Sequence, residues 1–206
     1  MLTPPAEKEH QAQHSALSTE NFSSLPNQLT VARFGLAVVL FILIAVGWWY
    51  GCLLVFALAA LTDLLDGYLA RRWNQASALG RNLDPLADKV LICGAFIFLL
   101  PTGTEGGWLT PWMVTVVVLR ELLITSLRSL LEGHGIKFGA DWLGKLKMWL
   151  QSAALIAIFV AFAATGTEGS WFLESARNGL IYAMVAATAL SGFQYMAKGA
   201  VLLKKV

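Results

Sequence analysis

Four aspartates have the spacing of a metal-binding site in a helical protein. On a helix, Asp63 and Asp66 share a face, and so do Asp84 and Asp88, because residues three or four positions apart are neighbours. Grouped carboxylates repel one another and need protons or cations. A hard divalent ion with oxygen ligands, Mg²⁺ or Mn²⁺, fits such a group. Four carboxylates suffice for two ions about 3.5–4 Å apart, the separation used in phosphoryl transfer.

Small residues and a cation accompany the aspartates. Gly67, Ala70 and Gly80 lie close to the acids in the chain and leave space for a ligand to approach the backbone. Arg71 is placed to pair with a phosphate. Two other interpretations stay open: a structural network of ion pairs with nearby arginines and Lys89, and helix packing by the small residues. Acids inside a membrane span are usually functional, which favours the ligand-binding interpretation.

The composition places these residues in a membrane protein. Hydrophobic residues make up 57% of the 206 residues, charged residues make up 14%, and the mean hydropathy is +0.63. Soluble domains carry about 45–50% apolar and about 25% charged residues, so a soluble globule, a disordered chain and a fibrous repeat are excluded. Cys52 and Cys93 lie in apolar stretches and predict no disulfide framework. Neither a histidine metal cluster nor a nucleic-acid partner is expected.

Six apolar runs predict an all-α, polytopic membrane protein with six transmembrane helices, since a span requires about 20 residues. The predicted spans are 28–49, 52–72, 82–101, 109–131, 143–165 and 178–198. Glycines and the segment Pro101-Thr-Gly103 mark predicted connections, and Gly166–Asn178 is a predicted outer loop. One membrane domain, 27–206, is expected after a polar N-terminal tail, 1–26, in which Leu17–Leu25 could lie on the membrane surface. A short connection makes the second and third spans antiparallel, so the four aspartates can converge.

The distribution of Lys and Arg predicts the orientation of the spans. With the N-terminus in the cytoplasm, 14 of the 15 Lys and Arg residues fall toward the cytoplasmic side or within the membrane, and only Arg177 falls in an outer loop. Positive charge favours the cytoplasmic side. We therefore expect an integral protein of the cytoplasmic membrane, with both termini and the active site facing the cytoplasm.

The aspartate motif resembles the signature of the CDP-alcohol phosphotransferases. That signature reads D-x2-D-G-x2-A-R-x8-G-x3-D-x3-D, and the chain matches every fixed position. The matching residues are Asp63, Asp66, Gly67, Ala70, Arg71, Gly80, Asp84 and Asp88. The six-span layout extends the resemblance from the motif over nearly the whole chain.

The resemblance implies a six-helix membrane fold, a homodimer and attack of an alcohol on the β-phosphorus of a CDP-linked lipid, with release of CMP. It implies that Asp63, Asp66, Asp84 and Asp88 hold two ions of Mg²⁺ or Mn²⁺. Asp88 would also be the general base that takes a proton from the acceptor alcohol, and a role as metal ligand alone is the alternative. The implied CDP and diphosphate pocket consists of Asp63, Asp66, Gly67, Ala70, Arg71 and Gly80.

The acceptor alcohol has to be inferred from residues outside the motif. Arg120 and Arg128 in the fourth span are eight positions apart and share a helix face, and Lys137 and Lys145 follow along the chain. A basic pocket of these four residues suits an acceptor that carries its own phosphate. The alternatives are an ion pair between Arg120 and a neighbouring acid and, for the lysines, orientation of the chain or attraction to anionic lipids.

Three further blocks, 25–33, 120–128 and 144–151, resemble the bacterial phosphatidylglycerophosphate synthases. Met148 departs from them, because a small or hydroxylated residue is expected there. The resemblance implies that CDP-diacylglycerol is the donor, that sn-glycerol 3-phosphate is the acceptor and that membrane lipids surround the enzyme. Two alternatives stay open: a cardiolipin synthase of the same family, with phosphatidylglycerol as acceptor, and a divalent-cation transporter that uses the acids as its site.

Overall fold

The structure, a computed structural model, describes residues 25–73, 78–134, 142–164 and 170–203, and within them the side chains of 31–62, 86–134, 142–164 and 171–202. These ranges contain six helices and no strand. The helices are α1 (Leu25–Val46), α2 (Trp49–Trp73), α3 (Ala78–Glu105), α4 (Pro111–Gly133), α5 (Trp142–Ala163) and α6 (Ser170–Leu203). The predicted all-α fold class is confirmed. The last two residues of the predicted tail already belong to α1, and the rest of the tail lies outside the described residues.

A glycine ends α1 and turns the chain into α2. Gly47 has a φ of +74°, a left-handed conformation that glycine adopts without a steric penalty. Its amide donates to the carbonyl of Ile44 at 3.1 Å, and the Trp48 amide donates to the carbonyl of Leu43 at 3.0 Å. This pair of hydrogen bonds is a Schellman motif, which satisfies the last carbonyls of the helix. The first helix therefore ends three residues before the predicted end of the first span.

Two predicted connections are wrong in part. The helix α3 continues through Pro101 to Glu105, and α6 begins at Ser170, inside the predicted loop Gly166–Asn178. An apolar run marks only the part of a helix that lies in hydrocarbon, whereas the polar ends can extend the same helix into the headgroup region. A proline inside a membrane helix is tolerated where neighbouring groups satisfy the freed backbone carbonyl.

Three of the described helices have the length and composition of membrane spans. Among the described residues, Leu86–Glu105, Trp142–Ala163 and Trp171–Leu202 are long and apolar enough to cross a membrane. Val31–Val46 and Trp49–Thr62 are shorter apolar stretches of α1 and α2. Large apolar side chains are exposed along the described helices, the arrangement that lipid chains require and that a soluble surface avoids. The chain is therefore an integral membrane protein.

The described parts of the six helices form a closed ring of contacts. Going around the ring, α1 packs against α2, α2 against α5, α5 against α6, α6 against α4, α4 against α3, and α3 against α1. A further contact between α3 and α5 crosses the ring. This contact divides the bundle into two groups of four helices: a first group of α1, α2, α5 and α3, and a second group of α3, α5, α6 and α4. The helices that carry the aspartate motif, α2 and α3, both belong to the first group.

Aromatic side chains enclose Arg177 at the end of the bundle opposite the aspartate motif. The guanidinium carbon lies 4.7 Å from the ring centroid of Trp108 and 5.7 Å from that of Phe162. The Phe162 ring stacks on Trp49 with a centroid separation of 4.5 Å. Only 8% of Arg177 is exposed. This cation, which the sequence predicts to lie in an outer loop, is thus compensated by aromatic faces and joins α2, α5 and α6.

Trp108→Ala should lower the midpoint of thermal unfolding in detergent by roughly 6–20 °C. Truncation of a buried aromatic residue costs about 3–5 kcal/mol, and 1 kcal/mol corresponds to about 2–4 °C in a chain of this size. Trp112→Ala is the matched control, because Trp112 is 55% exposed whereas Trp108 is 6% exposed. Equal shifts in the two variants would contradict the role given to the aromatic enclosure.

Candidate active site

The eight motif residues lie in two helices, as their spacing predicts. The residues are Asp63, Asp66, Gly67, Ala70 and Arg71 in α2, and Gly80, Asp84 and Asp88 in α3. Both pairs of aspartates therefore have the helical spacing that puts each pair on one face. Of these eight side chains only that of Asp88 belongs to the described residues. The convergence of the four carboxylates and the CDP pocket stay predictions.

Asp88 is held by an arginine from another helix. Its Oδ1 accepts a hydrogen bond from Nη1 of Arg33 at 3.1 Å. Arg33 lies on α1, which packs against α3. The Arg33 side chain is 1% exposed and the Asp88 side chain is 38% exposed. The carboxylate is thus bound by a buried cation and remains accessible at the end of the bundle where the motif lies.

Arg33 is a residue of this site that the motif does not contain. The sequence offers two signals for it. Arg33 is a charged residue inside the first apolar run, where such residues generally have a partner and a function, and it ends the block 25–33 named above. The identity of the partner depends on a contact between residues 55 positions apart. The spacing of residues along one helix carries no information about such a contact.

A second group of charged and polar side chains is buried between α4, α5 and α6. Glu121 accepts a hydrogen bond from Nη1 of Arg120 at 3.2 Å and another from the ammonium of Lys147. Lys147 also donates to Oε1 of Gln151 at 3.3 Å, and Nε of Arg120 donates to Oγ of Ser191 at 3.1 Å. All five residues are buried. In this buried charge cluster, two cations share one carboxylate.

Glycines let the helices approach one another around Arg120. The guanidinium carbon of Arg120 lies 5.4 Å from the centroid of the Tyr195 ring. A Cβ atom on Gly192 would lie 3.3 Å from Cγ of Arg120, and one on Gly144 would lie 2.9 Å from the Tyr195 hydroxyl. Small residues at these positions therefore allow α4, α5 and α6 to enclose the cluster.

The two arginines predicted to bind the acceptor phosphate differ in environment. Arg120 makes the ion pair with Glu121 that the alternative interpretation describes. Its Nε also donates to Oγ of Ser191, so two of its nitrogens are bound by protein groups. Arg128 is half-buried, and its buried Nε lacks a hydrogen-bond partner in the described part of the chain. A guanidinium can pair with a phosphate, and this role stays a prediction for both arginines.

The structure supports the two lysines of the predicted acceptor pocket less well than its two arginines. Lys145 is exposed on α5, and Lys137 lies outside the described residues. Lys147, two positions after Lys145, is the lysine that enters the bundle. Residues two apart on a helix point in nearly opposite directions, so only one of this pair can face the interior. The sequence shows both lysines but leaves open which of them is buried.

The helix α3 connects the two groups of charges. Lys89 follows Asp88 directly and lies within electrostatic range of Glu121 and Arg128. Cys93, about one turn further along α3, also lies within range of Glu121. The aspartate motif and the basic residues of α4 therefore approach each other across a single helix, which the two four-helix groups share.

The donor chemistry of the motif fits hard divalent cations. All four predicted ligands are carboxylates, the oxygen ligands that Mg²⁺ and Mn²⁺ take in proteins. The one carboxylate whose side chain is described, that of Asp88, is 38% exposed and so accessible to an ion. No group of three or more candidate ligands occurs among the described residues, to which the other three aspartate side chains do not belong.

Comparison with known proteins extends the resemblance beyond the motif. The sequence profile of a family described as CDP-alcohol phosphatidyltransferase matches residues 23–193. The chain belongs to the CDP-alcohol phosphatidyltransferase family. The matched range begins before α1 and ends within α6, so membership in the phosphatidyltransferase family rests on most of the helical domain.

Three curated relatives in this phosphatidyltransferase family carry the name CDP-diacylglycerol–glycerol-3-phosphate 3-phosphatidyltransferase. The protein of Bacillus subtilis is 33% identical over 88% of this chain and 97% of its own length. The protein of Cereibacter sphaeroides is 38% identical over 82% of this chain and 76% of its own length. The protein of Escherichia coli K12 is 32% identical over 77% of this chain and 97% of its own length.

Glu121→Gln should destabilise the protein strongly, because it leaves the cations of Arg120 and Lys147 buried without a carboxylate. Breaking a buried ion pair in this way costs about 3–5 kcal/mol. Lys145→Gln is the control, since Lys145 is exposed on α5. Thermal unfolding in detergent measures both variants. A Glu121→Gln midpoint as high as that of the control would contradict the described cluster.

Proposed function

We propose that the chain transfers the phosphatidyl group of CDP-diacylglycerol to sn-glycerol 3-phosphate, forming phosphatidylglycerol phosphate and CMP. The observation that carries this proposal is the placement of Asp88. Its accessible carboxylate lies on α3, the helix that also approaches the basic residues of α4. The names of the relatives support the same reaction, and the alignments with them cover most of the chain.

Asp88 acts as the general base in this proposal. It accepts the proton of the acceptor hydroxyl while the hydroxyl oxygen forms a bond to the β-phosphorus of the donor. The bond from that phosphorus to the CMP oxygen breaks, and CMP leaves as an anion. Little covalent chemistry is required of the protein, so positioning and electrostatic stabilisation dominate the catalysis.

The remaining motif residues bind the donor in this proposal. Gly67, Ala70 and Gly80 leave space for the nucleotide against α2 and α3, and Arg71 pairs with a phosphate oxygen. The residues that would hold two divalent cations, Mg²⁺ or Mn²⁺, are Asp63, Asp66, Asp84 and Asp88. When bound, these cations neutralise the diphosphate and the leaving CMP. Asp63 and Asp66 would also border the CDP pocket.

The acceptor phosphate is bound by the basic residues of α4 in this proposal. Arg120 and Arg128 supply the guanidinium donors, and Lys137 and Lys145 contribute further positive charge. The buried charge cluster contains two cations for one carboxylate, so it carries a formal excess of one positive charge. A phosphate monoester, which carries up to two negative charges, complements that excess better than the diester of phosphatidylglycerol does.

We also propose that the enzyme is a homodimer in the cytoplasmic membrane, with both termini and the active site facing the cytoplasm. The distribution of Lys and Arg supports this orientation. The enclosure of Arg177 between aromatic rings accounts for the cation on the outer side. A cytoplasmic site gives a soluble acceptor direct access to a donor that remains in the membrane.

The test of the proposed function is CMP release by the purified protein with CDP-diacylglycerol, Mg²⁺ and a panel of acceptors. We expect release with glycerol 3-phosphate, loss of release on chelation and recovery with Mn²⁺. Phosphatidylglycerol, inositol, inositol phosphate and serine complete the panel. Release with phosphatidylglycerol instead would support the cardiolipin synthase alternative. Flux of Mn²⁺ into vesicles without consumption of the donor would support a transporter.

Arg128→Gln should raise the KM for glycerol 3-phosphate at least about tenfold and leave the KM for CDP-diacylglycerol within about threefold. A hydrogen bond to a charged group contributes about 1.5–3 kcal/mol, and 1.4 kcal/mol corresponds to tenfold. Steady-state kinetics with each substrate varied in turn measures both constants. Arg177→Gln, the same change on the outer side, should alter neither. An unchanged acceptor KM in Arg128→Gln would remove this residue from the pocket.

A further inference from the structure

The buried residues of α1 form a stripe along one face of the helix. Arg33 is the first described residue of this stripe in the chain. Arg33, Ala37, Leu40 and Ile44 follow one another at intervals of three or four positions, and all four are buried. Such spacing places them on one face of the helix. The guanidinium of Arg33 is therefore anchored by the same packing that holds α1 in the bundle.

The packing of α1 on α3 fixes the distance between Arg33 and Asp88. About two turns from this pair, the Phe41 ring of α1 stacks on Phe98 of α3 with a centroid separation of 4.8 Å. The same ring lies against Gly94, where an added Cβ would collide with it. These contacts fix the α1 and α3 backbones relative to each other. The 3.1 Å hydrogen bond from Nη1 of Arg33 to Oδ1 of Asp88 is therefore made between two backbones that are held in place.

A guanidinium in this position restricts the carboxylate to which it donates. A partly exposed aspartate can rotate about its side-chain bonds, and a hydrogen bond from a buried donor to one oxygen selects one orientation. A charge-assisted bond of this kind is roughly twice as strong as a neutral one. Arginine presents a planar group with several donors, whereas lysine presents a single flexible ammonium. The hydrogen bond from Arg33 on α1 thus constrains the direction of the Asp88 carboxylate.

We propose that Arg33 is a positioning residue, which holds the Asp88 carboxylate in the orientation that the transfer reaction uses. This inference rests on the proposed function, because it assigns the role through Asp88. Arg33 acts on the reaction without contacting the substrate. A purely structural tie between α1 and α3 predicts a different result, in which loss of Arg33 lowers stability and leaves the turnover of the folded enzyme unchanged.

The kinetic test compares Arg33→Gln, Arg33→Lys and Arg177→Gln in the full-length enzyme, each assayed well below its unfolding temperature. We expect Arg33→Gln to lower kcat about 10- to 100-fold, with the KM of both substrates within about threefold. Arg33→Lys keeps the charge without the planar group and should lie between this variant and the wild type. Arg177→Gln also removes a buried arginine, so it should lower stability with kcat within about twofold.

The second measurement is a double-mutant cycle on thermal unfolding in the presence of a chelator, which is independent of activity. We expect the combined variant of Arg33→Gln and Asp88→Asn to lose less than the sum of the two single shifts, because the second change removes a partner already lost. Additive shifts would overturn the inference. So would a folded Arg33→Gln enzyme with the kcat of the wild type, and if this variant does not fold, Arg33→Lys with unchanged kcat has the same consequence.

The outcomes separate the inference from the proposed function. A wild-type protein that releases no CMP with any acceptor overturns the proposed function and, with it, the catalytic role of Arg33. An active wild type in which Arg33→Gln and Arg177→Gln lose kcat only in proportion to their loss of stability overturns the inference alone.

Discussion

A charge inside a helical membrane bundle has to be compensated where it lies, because neither lipid chains nor apolar side chains supply water or counter-ions. The bundle meets this constraint in three ways. Arg33 pairs with an aspartate of another helix, Arg120 and Lys147 share the carboxylate of Glu121, and Arg177 lies against aromatic rings. Each arrangement joins different helices: α1 with α3, α4 with α5 and α6, and α6 with α5. The contacts that compensate the buried charges therefore also determine how the helices pack against one another.

The helix α3 has a central position in this arrangement. It belongs to both groups of four helices, contacts α1, α4 and α5, and carries the last three residues of the motif. Asp88 on α3 is bound by Arg33 from the first group, and Lys89 approaches Glu121 and Arg128 from the second group. The proposed reaction, in which a diphosphate donor at the motif meets a phosphorylated acceptor, needs both environments next to each other. Their connection through one helix provides that arrangement.

The sequence predicts those features that depend on local pattern. The apolar runs predict six helices, the number found in the described part of the chain, and the spacing of the aspartates predicts their placement on α2 and α3. The extension of α3 through Pro101 was not predictable, because hydropathy reports depth in the membrane and not the end of a helix. The burial of Lys147 in place of Lys145, and the pairing of Arg33 with Asp88, depend on helix orientation and on long-range packing. The spacing of residues along one helix does not predict such contacts, so only the tertiary structure shows them.

The measurement that tests this account most directly is the turnover number of a purified Asp88→Asn enzyme, with CDP-diacylglycerol and glycerol 3-phosphate at saturation. The substitution keeps the size of the side chain and removes its capacity to accept a proton. The account predicts a turnover about 10² to 10⁴ times lower than that of the wild type, in a protein that remains folded and monodisperse in detergent. A folded Asp88→Asn enzyme with wild-type turnover would contradict it.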